Sequence, residues 1–387
     1  MNVDANLGQL ENAQLVRRAD DAERAYQFKH ALVQDTAYQS LLRQERKHLH
    51  RIVGEALEGV YPGQLDENAA LLAQHFAEAD ERDKAIAYAR RAARHFLARY
   101  AFEEAVHQLE TALTWVEPDP SSESYLALIE EAGDANRSLR KGERTLALYQ
   151  QAIDLWSHRG AADRWNVMRL HRKIIQTVID VKWAVGVDLM RRANRIGKAS
   201  RASLEAELKS MQGAPPRAEM AEALTVLSMS AWRLPSAPDW DAAERFALAA
   251  VAMAEQMSDP GILSRALDAL ASVYDGRGRL REHLQIALRR LALTQGAEFD
   301  DVREKIDALR GVGMAHMYLG EYAQALPPLR DAENLAEGIQ AIDLQTSAMG
   351  IQAQCLFRLD RWDEVLEVEK KWRVLEQHYS RERVGVT

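Results

Sequence analysis

Apolar residues recur at i, i+3, i+4 and i+7 through almost every segment of this 387-residue chain. That period predicts α-helix nearly throughout. Only ten prolines and 20 glycines punctuate the pattern, and they fall mainly between the periodic stretches. The alternation expected of strands is almost absent, the exception being the short piece "AYQFKH" at 25–30.

The helices recur in pairs. "GEYAQALPPLRDAENLAE" at 320–337 carries Ala325 and Ala332 seven residues apart, and it follows the helical stretch "DDVREKIDALRGVGMAHMYL". Comparable second helices place Ala105 and Ala112, Thr145 and Ala152, Ala243 and Ala250, His283 and Arg290, and Val365 and Trp372 at the same two positions. The first positions are separated by steps of 40, 98, 40, 42 and 40, the long step holding one further unit from "DRWNVMRLHRKIIQ" onward and an insertion around Pro215-Pro216. Small residues allow two antiparallel helices to approach closely, and each pair must stack on a neighbour to complete its core. The spacing Gly320-x-Tyr322-x-x-Ala325 resembles tetratricopeptide repeats, as does the stretch 84–115, although a period near 40 is longer than theirs and close to HEAT or armadillo lengths. The expected fold class is therefore all-α, a tetratricopeptide-like helix-pair superhelical solenoid.

Residues 26–50, "YQFKHALVQDTAYQSLLRQERKHLH", depart from this plain Ala/Leu/Glu/Arg background. Phe28, His30, Tyr38, Leu41, Leu42, Arg46 and His50, followed by "LLAQHFAEADERDKAIAYARRAARHFLARYAFEEAV", resemble the junction between winged-helix domain and repeats in signal-transduction ATPases of the STAND class, including those fused to nucleotide cyclases and transcription regulators. The resemblance implies a winged-helix remnant over 1–60, first repeats over 61–198, an insertion or linker over 199–217 and a second set of repeats over 218–387. It also implies that Phe28, His30, Tyr38, Arg46 and His50 serve structural or interdomain contacts. An ATPase module would precede Met1, holding the ATP and Mg that this chain is not expected to bind. The polar tail "SRERVGVT" looks like a cut rather than a capped end.

No catalytic, cofactor-binding or metal-ligating set emerges from the residues themselves. The nearest phosphate-loop text, "RRANRIGKAS" at 191–200, has Arg192 where the first glycine belongs and Ala199 where the hydroxyl belongs. His48 and His50 are two apart, so on a helix they diverge, whereas ligands at i and i+4 share a face. The tryptophans at 115, 156, 165, 183, 232, 240, 362 and 372 fall near helix ends and suit packing between pairs. Cys355 is the single cysteine, which excludes an internal disulfide and suits a buried packing role.

A net charge of −8 argues against a broad nucleic-acid surface. Arg43, Arg46, Lys47 and Arg51 form a basic stripe, yet residues 1–60 hold eight Lys/Arg against nine Asp/Glu. No 18-residue apolar run suggests a membrane span, and the N-terminus lacks the pattern of a secretory signal, which favours the cytoplasm. The expected function is a non-catalytic interaction or sensor region, with a protein or peptide partner on its concave face and an ATPase module as its intramolecular partner. A stand-alone scaffold and a small-molecule enzyme with its site near 199–217 are the alternatives.

Overall fold

The computed structural model describes residues 3–18, 26–99, 101–119, 121–159, 163–181, 187–234, 237–296 and 299–384; Trp183 lies outside them. The described residues are helical apart from one two-stranded hairpin, so the all-α helix-pair expectation holds. They fall into two compact units, 1–141 and 142–387.

The first unit opens with α1 (Val3–Asn12) and the antiparallel strands β1 (Val16–Arg18) and β2 (Tyr26–Phe28), paired with Val16 opposite Phe28. The strand suspected at 25–30 is β2. Then come α2 (Ala31–Ser40), α3 (Arg43–Val60), α4 (Ala69–Glu78), α5 (Arg82–Ala98), α6 (Phe102–Trp115) and α7 (Glu123–Ser138), with neighbours in sequence packed from α3 onward. The core of this unit centres on the fully buried Leu72, Phe76 and Ala85. Gly54 is where α3 meets α4 closely: a Cβ there would lie 2.9 Å from the Phe76 ring. By contrast, α2 buries none of its residues.

The second unit contains α8 (Gly142–Ser157), α9 (Arg164–Val181), α10 (Val187–Ser210), α11 (Ala218–Arg233), α12 (Trp240–Met257), α13 (Pro260–Gly276), α14 (Leu280–Thr294), α15 (Val302–Tyr318), α16 (Tyr322–Gly338), α17 (Ile342–Arg358) and α18 (Trp362–Val384). From α11 onward they pack as successive antiparallel pairs. Residues 199–210, expected within an insertion, continue α10, because Ser200 and Leu204 are buried and extend its apolar side. Residues 211–217, with Pro215-Pro216, make the connection to α11.

The paired positions found in the sequence mark the close approaches. Ala243, Ala250, Ala325 and Ala332 are fully buried. Opposite them on the first helix of the α15–α16 pair sits Gly313, where a Cβ would fall 2.4 Å from the Leu329 side chain. Two of the tight turns between paired helices contain a left-handed residue that glycine supplies without steric cost, Gly278 (φ 71°) between α13 and α14 and Gly320 (φ 77°) between α15 and α16. Helix starts are capped by side chains where the sequence permits: Asp239, Asp259 and Asp301 accept from the amides of Ala242, Ile262 and Glu304.

Candidate interaction sites

Two clusters rise above ordinary helix packing, one in each unit. The cluster in the second unit begins with an exception to the repeat. Where α12 and α16 carry alanines, α14 carries His283 and Arg290, and both are buried. Arg290 reaches between α13 and α15. Its Nη1 donates to Asp268 at 2.6 Å, its Nη2 to Glu304 at 2.6 Å and Asp307 at 2.7 Å, and its Nε to Ser264 at 3.2 Å. Ser264 in turn donates to Glu304 at 2.5 Å. Arg310 adds a second guanidinium, donating to Asp307 at 2.6 Å.

Burial and charge decide how these groups ionise. Burial alone would lower the affinity of Arg290 for its proton, but Asp268, Asp307 and Glu304 outweigh it and hold the guanidinium charged. Asp307 is pulled below the ordinary carboxylate range because Arg290 and Arg310 together overcome its burial. Asp268 goes the other way: burial and the nearby carboxylates raise it despite Arg290. Three carboxylates thus share two guanidiniums. A buried arginine costs several kcal/mol of desolvation, which such hydrogen bonding only offsets.

The outer members of the network are half-buried on α13 and α15. Helical spacing continues that side as Ser272 and Asp275 along α13, and as Met314 and the exposed Tyr318 along α15. His283 lies behind, with its ring 6.2 Å from that of Tyr318 and its buried Nδ1 without a hydrogen-bond partner. Burial lowers the pKa of His283 and the neighbouring Asp275 partly restores it. The sequence held the signal for this cluster: two bulky polar side chains at positions that elsewhere carry alanine. Their meaning depended on carboxylates from two other helices, which no local pattern pairs with them.

In the first unit the structure unites three of the five residues singled out from sequence. Tyr38 Oη lies 3.0 Å from His50 Nε2, and the Arg46 guanidinium sits 5.2 Å from the centre of the Tyr38 ring. His75 of α4, which sequence reasoning missed, completes the set with its Nδ1 2.9 Å from His50 Nδ1. Phe28 and His30 do not join it. Phe28 is exposed on β2, and His30 precedes α2 without a capping side-chain bond. His48 points elsewhere and lines a shallow basic surface with Arg43, Lys47 and Arg51. Lys47 and Arg51 are each paired there, with Asp80 at 2.6 Å and Glu81 at 2.7 Å.

The rest of α3 is notable for what it leaves uncovered. Leu42, Leu49, Ile52, Val53 and Val60 are exposed and fall within one arc beside the side packed on α4, and Leu32 of α2 is exposed as well.

The stretch that comes nearest to a phosphate loop in sequence is not one in the structure. Gly197-Lys198 lies inside α10 rather than in a loop before a helix, and a Cβ on Gly197 would lie 3.1 Å from Val178. Among the described residues, no helix is long and apolar enough to cross a membrane.

No protein-family model and no curated protein sequence matches the chain. Solved structures do match in fold. A Rap protein complexed with Competence and Sporulation Factor is similar at a TM-score of 0.52 and 13% identity, over 90% of this chain and 98% of that one. A STAND protein with a tetratricopeptide repeat sensor, from Pyrococcus horikoshii, is similar at a TM-score of 0.50 and 12% identity, over 97% of this chain but only 53% of that one. Aspartyl phosphate phosphatase F from Bacillus subtilis gives a TM-score of 0.50 and 14% identity, over 90% and 88%. What this chain shares with all three is the architecture of tetratricopeptide-like helix pairs.

Proposed function

We propose that this chain is a cytoplasmic, non-catalytic regulatory repeat region that binds a protein or peptide partner and belongs to a STAND-type signalling ATPase. The observation that carries the binding role is the Arg290 network. Replacing the small residue of a repeat by arginine gives up close packing and costs desolvation, and its product is a fixed set of charged groups along α13 and α15. Helix-pair repeats use such faces for recognition. The similar Rap protein is complexed with Competence and Sporulation Factor, which accords with this use of the fold.

The coupling role rests on the first unit. The apolar arc of α3 and the unburied α2 suit a further domain packed against them, as the resemblance to the winged-helix junction implies. In this reading nucleotide chemistry belongs to the ATPase module, and Mg-ATP leaves the thermal melt of this chain unchanged.

Two experiments test the two halves. A photo-crosslinking residue at the exposed position 318 should trap a partner that the same residue at Arg330, on α16, does not. Equal trapping at both, or none at 318, would remove the binding assignment. In-frame translation of the coding sequence before Met1 should reveal a Gly-x4-Gly-Lys-Ser/Thr motif. A stop codon there would leave a stand-alone scaffold.

A further inference from the structure

Helix α18 carries an apolar patch that the fold does not use. Its inner side packs into the α16–α17 core through Val365 and Val368, and the Trp372 ring lies 3.5 Å from where a Gly350 Cβ would stand. Nearly opposite, Trp362, Leu366 and Val374 are each more than half exposed and fall within an arc of about 120°. Phe357 of α17, also exposed, sets its ring edge-on against Trp362, with 4.8 Å between the ring centres, and enlarges the patch. The corresponding second helices show far less. Among the described residues α12 exposes one large apolar side chain, Leu248, α14 one, Leu288, and α16 none. A lone exposed leucine is ordinary, whereas a group on one side of a helix marks a contact.

The charges around the patch indicate what it contacts. Asp363, Glu364, Glu367 and Glu369 occupy the first two turns of α18, and Lys370, Lys371 and Arg373 follow in the next. The helix dipole does not account for the cations, because α18 runs on to Val384 and they lie in its middle. Glu364 and Lys371 are turned to Arg330 and Glu333 of α16. That leaves Asp363, Glu367, Lys370 and Arg373 around the exposed apolar residues, acidic at one end and basic at the other. Within the helix Glu367 bonds Lys370 at 2.7 Å and Glu369 bonds Arg373, and both pairs remain open to solvent.

Such a stripe is complementary to itself when reversed. Two copies of α18 crossing antiparallel set acidic turns on basic ones at both ends, whereas a parallel pair would set like on like. In the register where Leu366 faces the Lys370 stem, Trp362 meets Val374 and Asp363 meets Arg373, each contact occurring twice by symmetry. We propose that α18 is a self-association surface, pairing antiparallel with α18 of a second copy of this chain. The paired stretch 362–374 is about 18 Å long, at the small end of specific interfaces, so the dimer is weak and concentration-dependent.

Sedimentation equilibrium of the whole chain from about 1 to about 200 µM at low salt tests this. The mass should rise from the 43.6 kDa of one chain toward twice that value. Asp363→Lys alone, or Arg373→Glu alone, sets like charges together at both ends of the pair and should weaken association at least about tenfold. An equimolar mixture of the two single variants should recover it, since each copy then meets its complement, and a misfolded variant could not produce that recovery. Monomer at every concentration overturns the proposal and leaves α18 to a different partner. Association that neither substitution weakens also overturns it and places the contact elsewhere, as on the apolar arc of α3. Weakened variants that fail to recover on mixing exclude the antiparallel pair. None of these readouts depends on the partner at α13 and α15 or on an ATPase module.

Discussion

Arg290 on α14 and Asp307 on α15 are joined by a 2.7 Å ion pair in which the arginine side chain is 4% exposed and the aspartate 24%. The pair connects a buried repeat position to the accessible side of the next helix. Removing its buried end should therefore cost more than removing a surface charge. Arg290→Ala leaves Asp268, Glu304 and Asp307 with Arg310 alone, and urea denaturation should show a loss of about 3–5 kcal/mol. Adding Glu304→Gln to that variant should recover part of the loss by deleting one stranded charge. A double variant no more stable than the single one would contradict this account.

Gly313 gives a prediction opposite in sign to helix propensity. An exposed mid-helix glycine replaced by alanine gains about 1 kcal/mol. Here the new Cβ would sit 2.4 Å from Leu329 Cγ, so Gly313→Ala should instead destabilise by about 1–3 kcal/mol. A raised Tm for the variant would show that α15 and α16 are less closely packed than described.

His171 should make the chain acid-sensitive. Burial pushes its pKa down to about 4 from 6.5, and its buried Nδ1 has no hydrogen-bond partner. The unfolded chain therefore takes up the proton first. The stability this residue contributes is present above pH 6.5 and is lost as pH falls toward about 4, by at most about 3 kcal/mol. His171→Leu should flatten the pH dependence of denaturation across that window, and an unaltered slope would exclude His171 as its source.

Cys355 should be inert in the folded chain. It is fully buried on α17, and burial pushes its thiol up to about 11. Since the thiolate is the reactive form, iodoacetamide near neutral pH should label it only after denaturation, followed by mass spectrometry. Rapid labelling without denaturant would mean that α17 opens readily.

The candidate sites were legible in part, and the residues show why. Tyr38, Arg46 and His50 stood out because aromatic, arginine and histidine appear at helical spacing in an otherwise plain sequence. Phe28 and His30 stood out for the same reason and remain apart, because the hairpin and the start of α2 carry them away from α3. His75 was passed over in an ordinary-looking helix 25 residues further along. Arg290 and His283 were aligned with the alanines of other repeats, yet the significance of the mismatch appears only with Asp268, Asp307 and Tyr318 in place.

The sequence by itself determined that this protein is built of paired helices, and where most pairs meet. Apolar period and small residues act locally, through the packing of each helix on its neighbour, and Ala325 with Ala332 is buried just where that rule requires. The extent of α10 was not read from the sequence: the helix runs on through Ser210, inside the stretch 199–217 set apart because of the prolines near 215, and residues 211–217 connect it to α11. The tertiary structure alone decided which polar side chains meet. Charged and hydrogen-bonding groups find partners across helices at distances near 3 Å, and such contacts depend on the placement of three or more elements at once, which no periodicity records.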